Sequence, residues 1–168
     1  LLNVVEEMAI ASGMPVPEVY VLDREPGINA FAAGRTTSDA VIGVTGGTLQ
    51  LLKRQELQGV VAHELSHILH GDSRINMRAI GLLHGIFLLS LIGRFLLRGT
   101  RHSGKKDGAA LVLTGLGLLL IGSVGVFFGR MLQSAISRQR ELLADASAVQ
   151  FTRDTDGLVG ALKKIGGA

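Results

Sequence analysis

The chain has 168 residues, 47% of them hydrophobic, and carries a formal charge of +3 from 17 basic and 14 acidic side chains. That apolar content is high for a soluble domain, so apolar segments must be concentrated somewhere in it. The small net charge gives only weak support for a nucleic-acid partner, and basic residues at membrane edges explain it as well. The absence of cysteine excludes a disulfide scaffold and thiolate metal sites, leaving histidines and carboxylates as the strong ligands.

Leu2 to Ala11 places Leu2, Val5, Ala9 and Ile10 at helical spacing, and Gly13, Pro15 and Pro17 stop that helix. Three strand-like runs follow at Val19 to Leu22, Ile28 to Ala33 and Ala40 to Val44, parted by turn residues, and they read as a small antiparallel sheet. Helical periodicity then runs from Thr48 to His70, as two helices parted near Lys53, with Gly71 as a C-terminal stop.

Two uncharged or nearly uncharged apolar runs come next, 79–97 and 109–128, each long enough to span a bilayer, joined by a loop carrying Arg98, Arg101, Lys105 and Lys106. Arg94 and His84 lie inside the first run. An Arg at mid-bilayer costs about 2.5 to 3.5 kcal/mol on insertion scales, but Arg94 is close enough to the end to snorkel. The alternative is a pair of buried helices in a soluble core. Gly81-x-x-x-Gly85 and Gly125-x-x-x-Gly129 fit close packing of the two helices. A further helix is expected from Arg130 to Gln150, then a short one from Gly157 to Ile165. The chain opens at Leu1 without a methionine and stops at Ala168 within a helical pattern, as expected of a segment of something longer.

His63-Glu64-Leu65-Ser66-His67 is an H-E-x-x-H sequence on an expected helix. Residues four apart share a helix face, so both imidazoles can bind one zinc ion. Glu64, beside the metal, can take the proton of a zinc-bound water as that water attacks a polarised carbonyl. The alternative is two surface histidines with a solvated glutamate between them.

A catalytic zinc needs a third protein ligand and an open position. His70 shares the helix but lies a turn beyond His67, a poor position for a third ligand on one straight helix, and reads as a supporting residue or a bystander. The metzincin spacing would place histidine where Ser73 stands. Glu141 is better placed: with Asp145 four residues later, one carboxylate can ligate while the other orients a histidine. An exposed ion-pair helix is the competing reading. Two spans would return the chain to its starting side and bring Glu141 back to the histidines.

The chain resembles, over nearly its whole length, the HtpX and CAAX-prenyl-protease family of membrane zinc metallopeptidases, and the HtpX-like members most. The resemblance rests on His63-Glu64-Leu65-Ser66-His67 with Gly71-Asp72, on Ser137 to Glu141 with Ala144-Asp145-Ala146, and on Asn29 to Gly34. It implies that His63, His67 and Glu141 bind one zinc ion per chain, that Glu64 is the catalytic base and that Asp145 supports the site. It further implies that Asn29, Ala30 and Phe31 lie on an edge strand that pairs with the substrate backbone. Either Arg138 or Arg140 could stabilise the oxyanion. Family members carry further membrane segments before the catalytic domain.

The expected fold is therefore α+β: a zincin-like (gluzincin) domain with a small antiparallel sheet, an active-site helix and a ligand helix. Residues 1–76 and 130–168 form its two parts, with a transmembrane hairpin at 77–129. The expected activity is zinc-dependent endoproteolysis of membrane or misfolded proteins at the bilayer, and no nucleic acid is involved. Charge near the spans does not decide orientation; the resemblance favours a bacterial inner membrane with the site facing the cytoplasm. Competing functions are a CAAX-type prenyl-peptide protease and a non-catalytic membrane scaffold with a structural zinc.

Overall fold

The computed structural model describes residues 1–99 and 107–166. Its elements run α1 (Leu2–Ser12), β1 (Glu18–Leu22), β2 (Ala30–Ala33), β3 (Val41–Thr45), α2 (Gly46–Leu51), α3 (Arg54–Leu69), α4 (Asp72–Gly99), α5 (Asp107–Thr152) and α6 (Thr155–Gly166). The chain divides into two compact units, one from 1–75 with 138–168 and the other from 76–137. Of the basic loop expected between the apolar runs, Arg101, Lys105 and Lys106 lie outside the described residues.

In the first unit α3 is the central element. Its buried Leu57, Val61, Ala62, Leu65 and Ile68 meet Val4, Val5 and Met8 of α1, Ile42 and Val44 of β3, Ala148 of α5 and Leu158 of α6. Apolar burial on three sides holds the helix, at roughly 1.5–3 kcal/mol for each large side chain. Its first turn is secured by Glu56, whose carboxylate accepts from the Lys53 N–H at 2.6 Å and from Lys164 Nζ of α6 at 2.7 Å. Gly71, at φ +70°, ends the helix in the left-handed region and turns the chain into α4.

The sheet is mixed, which corrects the antiparallel expectation. Its order is β1-β3-β2, with β1 parallel to β3 and β2 antiparallel to it. The physical reason lies in burial: Ile42, Val44 and Thr45 of β3 are buried, whereas β1 is almost wholly exposed. The most buried strand takes the centre, where both its edges pair, and β2 is left as a free edge. The crossover from β1 to β2 presses Pro26 O against Gly47, where a Cβ would collide with it. Thr45 and Thr48 then anchor the start of β2 by hydroxyl bonds to Asn29.

The second unit contains antiparallel stretches of α4 and α5. Gly93 approaches Gly115, Ser90 meets Gly122, Ile86 meets Gly125 and Leu83 meets Gly129. The Gly125 and Gly129 pair thus packs closely, while Gly81 and Gly85 face open space, contrary to the expected spacing motif. α5 also differs from expectation in being one 46-residue helix across Gly129 and Arg130. A lone glycine costs a helix only about 1 kcal/mol, and no proline interrupts the run. Both helices are long and apolar enough to cross a membrane, and their apolar stretches are mostly exposed.

Candidate metal centre

His63 and His67 stand one turn apart on α3 and turn their rings edge to face, centroids 4.8 Å apart, so that the two Nε2 atoms lie 3.2 Å from each other. Glu141 of α5 brings Oε2 to 3.6 Å from His63 Nε2. These three residues present one ligand atom each, all within 4.8 Å of one another. For donors about 2.0–2.1 Å from a tetrahedral zinc, neighbouring ligand atoms should lie roughly 3.4 Å apart. The 3.2 Å between the histidines and the 3.6 Å from His63 to Glu141 are close to that value.

The far nitrogens of both rings face carboxylates. His67 Nδ1 is hydrogen-bonded to Asp72 Oδ2 at 2.7 Å, and His63 Nδ1 lies 3.0 Å from Asp145 Oδ1 without the alignment of a hydrogen bond. A carboxylate beside Nδ1 places the proton there and leaves the lone pair on Nε2. Two lone pairs converging at 3.2 Å repel each other unless a cation lies between them, so the chemistry of the donor set, like its spacing, fits a bound metal ion.

Glu64 projects beside this group. Its Oε2 accepts the backbone N–H of Ala32 on edge strand β2 at 3.1 Å. Burial pushes its carboxyl above the ordinary carboxylate range; His63, His67 and the Ala32 N–H pull it down, and Glu141 adds to the rise. A carboxylate poised in this way is suited to accept and return a proton.

Of the other expected residues, His70 stays outside the group: its Nδ1–H turns back to Ser66 O at 2.8 Å. Arg138 is exposed. Arg140 instead sets Nη1 2.5 Å from Asp72 Oδ1. In the sequence Asp72 stands out only as the partner of Gly71 in the Gly71-Asp72 pair, without a role. Its signal was an acidic residue immediately after the Gly71 stop, at the first position of the next helix.

The edge strand also differs in detail. Asn29 donates its N–H to the Thr45 and Thr48 hydroxyls and its carbonyl accepts from the Thr45 N–H, so its backbone is committed within the fold. In an antiparallel pair the bonding direction alternates, and Ala32 already points away from β3 to Glu64, so Ala30 is the residue that keeps its backbone groups on the open side. Phe31, at 43% exposure, lays its ring over Gly43 instead of entering the core.

Comparison with known proteins gives the family of the chain. Peptidase family M48 matches residues 1–166, and the chain belongs to that family. Among its relatives are proteins named Protease HtpX homolog. The one from Caldanaerobacter subterraneus subsp. tengcongensis is 45% identical over 172 residues, covering 98% of this chain and 56% of that protein. Those from Dictyoglomus turgidum, 41% identical over 98% of this chain and 53% of that protein, and Streptococcus uberis, 38% identical over 97% and 56%, are similar in extent. The chain thus spans about half the length of the curated relatives it matches. No solved structure matches it significantly.

Proposed function

We propose that the chain is the catalytic portion of a zinc-dependent, membrane-associated metalloendopeptidase of the HtpX type. The observation that carries the reading is the convergence of His63, His67 and Glu141 beside a half-buried Glu64 that is bonded to a free sheet edge. In it His63, His67 and Glu141 would hold one zinc ion, with Asp145 and Asp72 behind the two histidines. Zinc, when bound, would polarise the scissile carbonyl and lower the pKa of a bound water. Glu64, as the base, takes a proton from the attacking water and delivers it to the leaving amine. The outward backbone of Ala30 adds the substrate as a further strand, which holds its carbonyl near Glu64.

The fold we assign is zincin-like, its two parts at 1–76 and 130–168 separated by a membrane hairpin at 77–129. The exposed apolar faces of α4 and α5 support a bilayer around them. An even number of spans returns Glu141 to the side of the histidines. We place the site on the cytoplasmic face of a bacterial inner membrane, acting on membrane or misfolded proteins that share that surface and so meet it at high local concentration.

Casein degradation by detergent-purified protein, with metal content measured in parallel, tests this. Wild type should hold one zinc per chain and degrade casein, and Glu64→Gln should keep the zinc and lose activity by at least about a hundredfold. Full proteolysis by Glu64→Gln would rule the mechanism out.

A further inference from the structure

His84 is an ionisable side chain inside an apolar run, and the metal group makes no use of it. In a bilayer such a residue is costly unless it serves a partner. It lines a cavity of about 310 Å³ that lies wholly within the second unit. Ile80, Leu83, His84 and Phe87 follow one face of α4 at helical spacing, and Val126, Arg130 and Gln133 follow one face of α5. The volume falls within the roughly 300–1,000 Å³ of ligand clefts.

The recess opens because the two helices separate along their length. A Cβ at Gly93 would meet the backbone of Gly115 and Leu119, and one at Gly122 the backbone of Ser90. At Gly125 and Gly129 the nearest atoms are instead side chains, those of Ile86 and Leu83. Polarity is graded along the gap. Gln133 and Arg130 stand at the outer end, past the apolar run that closes at Phe128, and Phe87 and Val126 stand at the inner end. His84 lies between them, about 7–8 Å inside the run that begins at Ala79, at 1.5 Å per residue. Its Nδ1–H donates to Ile80 O at 2.9 Å, which leaves Nε2 for a ligand. Among the described residues Arg130 has no ion-pair partner, and the sequence has no acidic residue at 73–106 or 108–140. A cation at the mouth of an apolar cleft, with no carboxylate to neutralise it, suits an anion that carries its own apolar tail.

We propose that this recess holds one anionic phospholipid, its phosphate paired with Arg130, its glycerol backbone beside His84 and its acyl chain along Phe87 and Val126. The inference rests on the membrane reading of the hairpin above. A zwitterionic lipid brings a second cation next to Arg130 and binds less well, since like charges repel most where water is scarce. Free phosphate satisfies the guanidinium but leaves the apolar end of the recess unfilled. The lipid is accordingly chosen by net charge and held by both of its parts.

The test reconstitutes the full chain into phosphatidylcholine vesicles containing a minor share of phosphatidylglycerol, and counts by native mass spectrometry the lipids retained on extraction into mild detergent. Wild type should retain phosphatidylglycerol about fivefold or more beyond its share of the vesicle, the effect of one cation near an anionic lipid. Arg130→Gln should return the ratio to that of the vesicle, and Arg130→Lys should keep most of the preference. His84→Leu should lower it in part, and gives a second reading where Arg130→Gln does not reconstitute. Arg98→Gln, the same loss of charge at the other end of α4, should leave it unchanged, and excess inorganic phosphate should not displace the lipid. Retention without preference overturns the recess, as does a preference untouched by the Arg130 and His84 variants, lowered equally by Arg98→Gln or abolished by phosphate. Each of these outcomes leaves the hairpin in the membrane. Failure of the wild type to float with the vesicles overturns the membrane reading itself, and the recess with it.

Discussion

Arg140 sets its guanidinium 2.5 Å from Asp72 Oδ1, while Asp72 gives its other oxygen to His67. The residue before Glu141 on α5 is thereby linked to a histidine of α3 through one carboxylate at the start of α4. All the side chains in that link are largely buried: His67 at 22% exposure, Asp72 and Arg140 at 18% each. The link fixes the tautomer of His67 and the position of α5 next to α3 together, and with them the spacing of the two histidines and Glu141.

If the link positions the ligands, its loss should appear in metal affinity before it appears in folding. Asp72→Ala should weaken zinc retention about ten- to a hundredfold, the usual effect of removing a carboxylate behind a ligating histidine. Asp72→Asn, which keeps an acceptor for the His67 N–H, should recover part of it, and Arg140→Gln should lose less than Asp72→Ala. Competition with a chelator gives the affinities, and the visible spectrum of the cobalt-substituted protein reports the ligand geometry. Unaltered affinity and spectrum in Asp72→Ala would show that the contact only stabilises the fold.

The third ligand is separately testable, because the two sequence candidates lie in different surroundings. Glu141 reaches to 3.6 Å from His63 Nε2, whereas His70 bonds back to its own helix. Glu141→Ala should reduce bound zinc well below one per chain after dialysis against a weak chelator. His70→Ala should leave it near one. Metal analysis of the two variants side by side distinguishes them, and the reverse outcome would transfer the role to His70.

How much of this was legible in the sequence follows from how local each feature is. The α3 pair His63 and His67 depends only on helical period, and α3 itself runs close to the expected stretch. The contact of Glu141 with His63 was reachable by counting apolar spans, although α5 proved continuous where a break was expected. Strand positions were visible from β-branched runs, but strand order was not, since it depends on which strand the core buries most. The link from Asp72 to Arg140 was invisible because it joins three helices through side chains whose sequence surroundings look like ordinary surface charge. The same holds for Asn29, whose backbone is occupied by two threonine hydroxyls that no periodicity announces.

Gly71 should prove a sensitive position despite having open space around it. A Cβ there would meet nothing within 4 Å, so the cost of Gly71→Ala is conformational, arising from φ +70°. A left-handed residue other than glycine costs about 1–2 kcal/mol. Because Asp72 follows directly, part of that strain can be relieved by moving its carboxylate off His67. Gly71→Ala should lower the thermal midpoint by several degrees and weaken zinc retention as well, whereas Gly13→Ala, at the same φ in the C-cap of α1, should lower the midpoint alone. Scanning calorimetry with zinc competition on both variants checks the contrast; equal zinc affinity in the two would break the connection to Asp72.

Glu56 supplies a pH-dependent element outside the metal group. Its carboxyl is held below the ordinary value of 4.5, first by the hydrogen bond from Lys164 and then by the Lys53 N–H, with burial opposing both. A carboxylate lowered in the folded state stabilises the fold where it is ionised. That stabilisation is therefore complete above the unfolded value and is lost as pH falls through the lower folded value. Glu56→Gln should cost roughly 1–3 kcal/mol at pH 7, the usual range for charge-assisted hydrogen bonds. The gap between wild type and variant should narrow as the pH drops below about 4.5. Because Lys164 belongs to α6, Lys164→Met should produce a smaller loss with the same pH trend, leaving Glu56 its bond to Lys53. Urea unfolding of the three proteins between pH 7 and pH 3 measures both effects, and a constant gap across that range would show that the carboxylate does not stabilise the fold through its charge.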